Sequence, residues 1–164
     1  MPQSVHEFTA KTIDGTTKKL SEYRGRPLLI VNVASKCGLT PQYRGLEELH
    51  EAYAARGLSV VGFPANEFGA QEPGTDEQIK DFCETTYGVE FDMFAKVKVK
   101  GAGIDPLFAF LTGKDTNPDF AGDIQWNFNK FLVSKDGRVV ARFEPQVEPT
   151  SAEVKQAIER ELAR

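Results

Sequence analysis

Cysteine is scarce in this chain: Cys37 and Cys83 are the only two among 164 residues, and they stand far apart in sequence. That excludes a disulfide-stapled scaffold and a self-sufficient zinc site. Histidine is equally scarce, and with no third ligand beside His6 or His50, each reads as a surface or structural residue rather than a metal ligand. No metal and no cofactor is called for, and a Cys-His hydrolase finds little support. Apolar runs approaching the roughly 18 residues of a membrane span are absent, as is a basic cluster followed by an apolar stretch over Met1 to Phe8. These absences predict a soluble, cytoplasmic protein. There is no excess of positive charge either: 20 Lys and Arg against 24 Asp and Glu leave a net charge of -4, with the cations scattered rather than striped, so nucleic acid is excluded as a partner. Internal repeats and low-complexity segments are also missing.

What is present is ordinary globular composition, 40% hydrophobic and 27% charged with 12 Phe, which predicts a real core. A chain of roughly 150 residues buries about 70% of its unfolded surface without staples, so a single domain over residues 1–164 is expected.

Two stretches, Pro27 to Ala34 and Leu58 to Phe63, are continuous apolar runs of strand length, the pattern of strands covered on both faces. Between them, Thr40-Pro41 offers an N-cap followed by proline at the first helical position. Leu46, Leu49 and Tyr53 continue at helical spacing until Gly57. After a Gly- and Pro-bearing loop from Pro64 to Gly74, Thr75 with Gln78 forms a capping-box signal for a helix carrying Ile79, Phe82, Cys83 and Thr86 on one face. Asp105-Pro106 opens a short helix through Leu107, Phe108 and Leu111, and residues 113–125 read as loop. Two Asp-Gly pairs, Asp14-Gly15 and Asp136-Gly137, predict hairpins, one leading in and one joining Phe131-Leu132-Val133 to Val139 through Phe143. Thr150 with Glu153 signals a terminal helix lined by Val154, Ile158 and Leu162. The order β-α-β-α followed by an antiparallel hairpin is that of an α/β thioredoxin-like fold, a central mixed β-sheet flanked by helices with an N-terminal β-hairpin.

Cys37 lies where the first buried strand gives way to a helix, at the carboxyl edge of the expected sheet. Unpaired N–H groups and the positive end of the helix dipole there can lower a cysteine pKa by one to several units from about 8.5, and Lys36 adds a weak contribution. Position alone leaves two readings open, a reactive thiolate or a small apolar filler at a strand end. Thr40 stands where a C-x-x-C motif would carry its second cysteine, which disfavours a local dithiol carrier. Cys83, on the inward helix face, reads as buried filler; Gln71 and Trp126, taken singly, read as a loop amide and a core aromatic.

Three segments carry more. Asn32-Val33-Ala34-Ser35-Lys36-Cys37-Gly38-Leu39-Thr40, Phe63-Pro64-Ala65-Asn66-Glu67-Phe68-Gly69-Ala70-Gln71-Glu72-Pro73-Gly74 and Trp126-Asn127-Phe128-Asn129-Lys130-Phe131-Leu132-Val133 resemble the signature segments of glutathione peroxidases, in the same order, with similarity running over nearly the whole chain. The resemblance implies that Cys37 is the peroxidatic cysteine and that Gln71, Trp126 and Asn127 complete a catalytic tetrad. It also implies that Cys83, in Asp81-Phe82-Cys83-Glu84-Thr85-Thr86-Tyr87-Gly88, is the resolving cysteine of thioredoxin-dependent members. The sequence departs from common members at Ala65, where many carry a further cysteine, and at Glu67, where Gln is frequent.

The implied function is reduction of hydrogen peroxide and organic or lipid hydroperoxides through a Cys37 sulfenic acid. That acid would close to a Cys37–Cys83 disulfide and be recycled by thioredoxin rather than glutathione. The required proton would come from the original thiol through Asn127 or a water. Because a disulfide needs Cα atoms within about 7 Å, the helix from Thr75 to Tyr87 is expected to open locally and to be marginally stable. The alternative is a peroxide-sensing relay that passes the oxidation of Cys37 to a partner protein.

Overall fold

The computed structural model describes residues 2–164. A lead-in hairpin pairs β1 (Thr9–Lys11) with β2 (Thr17–Lys19), its turn carrying Gly15 as expected. The two apolar runs become β3 (Leu28–Val33) and β4 (Ser59–Pro64), parallel neighbours in which every residue is buried. Between them runs α1 (Gln42–Tyr53), which buries Tyr43, Leu46, Leu49 and Tyr53 and stops after one further turn at Gly57, whose φ of 115° suits glycine alone. Then follow α2 (Asp76–Tyr87), β5 (Asp92–Met93), α3 (Pro106–Thr112), β6 (Lys130–Val133), β7 (Val139–Phe143) and α4 (Ala152–Leu162).

The main sheet has the order β5-β4-β3-β6-β7, with β6 antiparallel to β3 and β7 antiparallel to β6. This is the expected thioredoxin-like architecture. Alternation along each strand builds two cores. Leu29, Val31 and Val33 of β3 pack with residues of α1, α2 and α4, whereas Leu28 and Ile30 pack with Phe63, Phe131 and the α3 residues Leu107 and Phe108. Burial on both faces is what removed the polar alternation from these strands.

Two expected caps form differently. Thr40 is not the N-cap of α1: Pro41 takes that place, and the Thr40 hydroxyl is used inside the preceding turn. The Thr150–Glu153 box is likewise absent, since α4 starts from Ser151 without a side-chain cap. The box at Thr75 and Gln78 forms with both of its bonds, and Asp105 caps α3 ahead of Pro106. The two-residue β5 had no sequence signal, being too short to show a period.

Because β3 and β4 run together and β6 runs against them, the carboxyl ends of the first two and the amino end of the third meet at one edge. That edge carries Cys37, Gln71 and the Trp126-Asn127 pair.

Candidate active site

Cys37 sits in a tight turn just past β3. Its N–H donates to Thr40 Oγ1 at 2.9 Å, Thr40 Oγ1 donates to the Ala34 carbonyl at 2.8 Å, and the Thr40 N–H closes on the Cys37 carbonyl at 3.0 Å. The Leu39 N–H points at Sγ, 3.3 Å away. Helix α1 begins only at Gln42, so the N–H that reaches the sulfur belongs to the turn rather than to the helix terminus. The residue is 8% exposed.

The loop after β4 is stitched to this turn. Lys36 N–H donates to the Gln71 carbonyl at 3.0 Å, and Ser35 N–H donates to Glu72 Oε1 at 3.1 Å. From the β6 side, Asn127 Nδ2 donates to Gln71 Oε1 at 3.0 Å, while Asn127 Oδ1 is buried with no protein partner. Trp126 lies beside them, packed on Phe68 at 5.7 Å between ring centroids and 37% exposed, the most exposed large hydrophobic among the described residues.

Backbone strain marks the same two places. Among the described residues, Ala70 (φ 51°) and Phe128 (φ 67°) are the only non-glycine residues in the left-handed region. One immediately precedes Gln71 and the other immediately follows Asn127. Such conformations cost about 1–3 kcal/mol each and persist where surrounding structure enforces them. The enforcement around Phe128 is visible: its N–H donates to the Asn32 carbonyl at 2.6 Å, Asn32 Nδ2 donates to the Trp126 carbonyl at 3.0 Å, and Asn129 N–H donates to Asn32 Oδ1 at 3.1 Å. Lys130, fully buried, donates to the carbonyls of Phe128 at 2.7 Å and Pro145 at 3.2 Å. Burial pulls its pKa down to about 7.

Asn32, Thr40, Glu72 and Lys130 were not singled out from the sequence as parts of this site. The available signal for two of them was a polar side chain inside an apolar strand, Asn32 in β3 and Lys130 in β6, which demands a buried partner.

Cys83 is 1% exposed on the inward face of α2 with Ile79, whereas Thr86, expected on that face, is exposed. Both cysteines are free thiols and belong to one buried cluster. Burial, reinforced by the carboxylates of Glu72 and Glu84, pushes the Cys83 thiol up to about 11. The Tyr43 hydroxyl lies against it without closing a hydrogen bond of good geometry. Helix α2 is anchored at both ends, by its capping box and by Gly88, and Asp76 Oδ1 accepts the Lys96 N–H at 2.8 Å. A cleft of about 520 Å³ opens between α2 and the Cys37 turn, with Ser35, Lys36, Glu72, Ile79 and Phe82 in its wall. A second, of about 420 Å³, is bordered by the lead-in hairpin and reaches Cys83 and Lys80, away from the sheet edge.

The metal-capable grouping found among the described residues is Glu47, Glu51 and Glu90, whose oxygens lie within 4.8 Å of one another and which includes no residue of the sheet-edge site. Among the same residues no helix is long and apolar enough to cross a membrane.

A thioredoxin-like sheet bearing a thiol at the carboxyl edge of its central strand, without a C-x-x-C partner and beside an amide pair and an indole, defines a thiol-dependent redox enzyme. Known proteins narrow this. The family model for glutathione peroxidase matches residues 5–112. Thioredoxin/glutathione peroxidase BtuE of Escherichia coli is 44% identical over the whole of both chains. Hydroperoxy fatty acid reductase Gpx2 of Synechocystis is 50% identical over 92% of this chain and 94% of its own. A thioredoxin family thiol:disulfide interchange protein of Chlorobium tepidum superposes with a TM-score of 0.69 over 99% of this chain and 97% of its own, at 18% identity, and shares the fold. The chain belongs to the glutathione peroxidase family, and it is a thiol peroxidase.

Proposed function

We propose that the enzyme reduces hydrogen peroxide and organic or lipid hydroperoxides by a two-cysteine cycle in which Cys37 attacks and Cys83 resolves. The observation that carries the site assignment is the pair of strained residues flanking Gln71 and Asn127, whose amides meet at 3.0 Å on the edge that bears Cys37. The Cys37 thiolate takes the distal peroxide oxygen, the O–O bond breaks, and the alkoxide or hydroxide that leaves is protonated. The products are a Cys37 sulfenic acid and an alcohol or water. Gln71, Asn127 and the Trp126 indole hold donors at the place where this charge develops. Cys83 sulfur then displaces the sulfenic oxygen to form the Cys37–Cys83 disulfide.

An external dithiol returns both thiols, and we assign that role to thioredoxin ahead of glutathione. A peroxidatic cysteine backed by a second thiol in the chain supports this, and the name of the E. coli relative carries thioredoxin beside glutathione. The name of the Synechocystis relative supports lipid hydroperoxides as substrates. The cycle needs no cofactor, and residues 1–164 act as one domain, in the cytoplasm. The deep burial of Cys83 favours a second use of the same chemistry, in which slow resolution leaves the sulfenic acid for a partner protein's thiol.

Steady-state peroxide consumption coupled to thioredoxin and its reductase, run beside glutathione and its reductase, tests the reading. Turnover at least ten times faster with thioredoxin is expected. Turnover with glutathione alone would reverse the choice of reductant, and a single round of oxidation with either would favour the relay.

A further inference from the structure

The cycle contains a step for which none of its four site residues supplies a proton carrier. Closing the disulfide requires the Cys83 thiol to lose its proton and the sulfenic oxygen to gain one. With α2 closed, Cys83 is 1% exposed and burial holds its thiol up at about 11, so loss of its proton has to accompany the opening of α2.

Glu72 borders both the Cys37 turn and the cleft in front of α2. Its carboxyl is 1% exposed and is fastened to the peroxidatic turn by the Ser35 N–H, two residues ahead of Cys37, at 3.1 Å. Its own N–H is held by Asn66 Oδ1 at 2.9 Å, and its carbonyl accepts Lys96 Nζ at 2.8 Å, so the residue is fixed at both backbone groups. One oxygen, Oε2, is buried with no hydrogen-bond partner. Glu72 forms part of the wall of the cleft of about 520 Å³ between the Cys37 turn and α2, together with Ile79 and Phe82 of the segment that carries Cys83. A buried carboxylate oxygen without a partner costs free energy and calls for an explanation.

We propose, on the two-cysteine reading above, that Glu72 is a further catalytic residue, the proton shuttle of the resolving step. As α2 opens across the cleft and Cys83 approaches the Cys37 turn, it passes the carboxyl that the Ser35 N–H fastens to that turn. The carboxylate takes the proton from Cys83 Sγ, the new S–S bond forms as the Cys37 S–O bond breaks, and the departing oxygen takes the proton back from Glu72. The sum is sulfenic acid plus thiol giving disulfide plus water. The electrons come from the Cys83 thiolate, and Glu72 ends as it began, with no outside oxidant, reductant or net proton. The groups facing the carboxyl suit it to this role. Burial raises its pKa, the Ser35 hydroxyl and N–H and, more weakly, Lys96 and Lys36 oppose that rise, and the Tyr43 hydroxyl of α1 and the Cys83 thiol of α2 are close enough to feel its charge. A buried carboxyl whose pKa is raised by desolvation is a stronger proton acceptor than a free one and can still return the proton it takes.

The test follows each step separately. Reduced protein receives one equivalent of hydrogen peroxide; sulfenic acid is trapped with dimedone, and the Cys37–Cys83 bond is followed by quench and mass spectrometry between pH 6 and 8. In Glu72→Gln, whose amide oxygen can still accept the Ser35 N–H, sulfenic acid is expected to form and accumulate while closure slows about 100-fold, the low end for a lost general acid–base group. Closure should also become steeper with pH, approaching tenfold per unit as hydroxide replaces the carboxylate. Glu72→Asp, which keeps the carboxylate, should restore part of the rate and the shallow profile. Closure in Glu72→Gln at the wild-type rate and slope overturns the shuttle. So does equal slowing in both variants with the wild-type slope, the signature of a structural role, and so does loss of sulfenic acid formation itself. If Glu72→Gln does not fold, Glu72→Asp with its pH profile decides alone. Absence of any Cys37–Cys83 bond in the unsubstituted protein overturns the resolving role of Cys83 before Glu72 is touched.

Discussion

At the scale of single residues, the site is a set of polar groups forced into positions that the strands alone would not provide. Asn127 donates to Gln71 while its own Oδ1 has no protein partner, and the strained residues Ala70 and Phe128 flank both amides. Asn127→Ala is therefore expected to slow sulfenic acid formation by about 100-fold, the low end for loss of one donor at a developing oxyanion, measured by stopped-flow consumption of peroxide. Lys130 gives a prediction about stability. Its folded pKa, about 7, lies below the unfolded 10.5, so between these values the unfolded chain binds more protons than the folded one. Stability therefore rises with pH through that window, by up to about 1.4 kcal/mol per unit. Urea unfolding at pH 7 and 9 should show the rise, and Lys130→Met should lack it. Cys83, buried and raised to about 11, should react with iodoacetamide far more slowly than Cys37 in the reduced protein at pH 8. Comparable rates by peptide mapping would mean that α2 is already open. Of these residues, Cys37, Gln71, Trp126 and Asn127 were legible because three long motifs stand together. Asn32, Glu72 and Lys130 stand in the same motifs, but their roles were not legible, because their contacts cross the sheet edge and leave no spacing in sequence.

At the scale of elements, α2 is the part that must move. Its capping box at Thr75 satisfies two terminal N–H groups, and its loss costs about 1 kcal/mol. If resolution proceeds through opening of α2, Thr75→Ala should speed closure of the disulfide by roughly fivefold and lower Tm slightly, since 1.4 kcal/mol is tenfold in an equilibrium. Slower closure would place the barrier elsewhere. The element boundaries show where local signals compete. Thr75 with Gln78 closed its box, but Thr150 with Glu153 did not, and Thr40 gave its hydroxyl to the Cys37 turn instead of to α1. A capping signal states that a side chain can satisfy a helix end; nearby donors decide whether it does. Buried strands were easier, because unbroken apolar runs of strand length between turn residues leave few alternatives.

At the scale of the whole molecule, one parallel and one antiparallel neighbour of β3 bring three distant segments to a single edge. That topology was inferable from the order of elements, but the short β5 and the position of α2 over the Cys37 turn depend on packing between segments far apart in sequence. The same topology places both thiols in one core and sets the cycle apart from a C-x-x-C exchange, in which both sulfurs share one turn. The two-cysteine cycle requires that peroxide convert these two thiols, and no others, into one intramolecular bond. The direct measurement is intact and peptide mass spectrometry of the reduced protein after one equivalent of hydrogen peroxide: the expected result is a loss of two hydrogens with a single Cys37–Cys83 cross-linked peptide, and recovery of both thiols unmodified would contradict it.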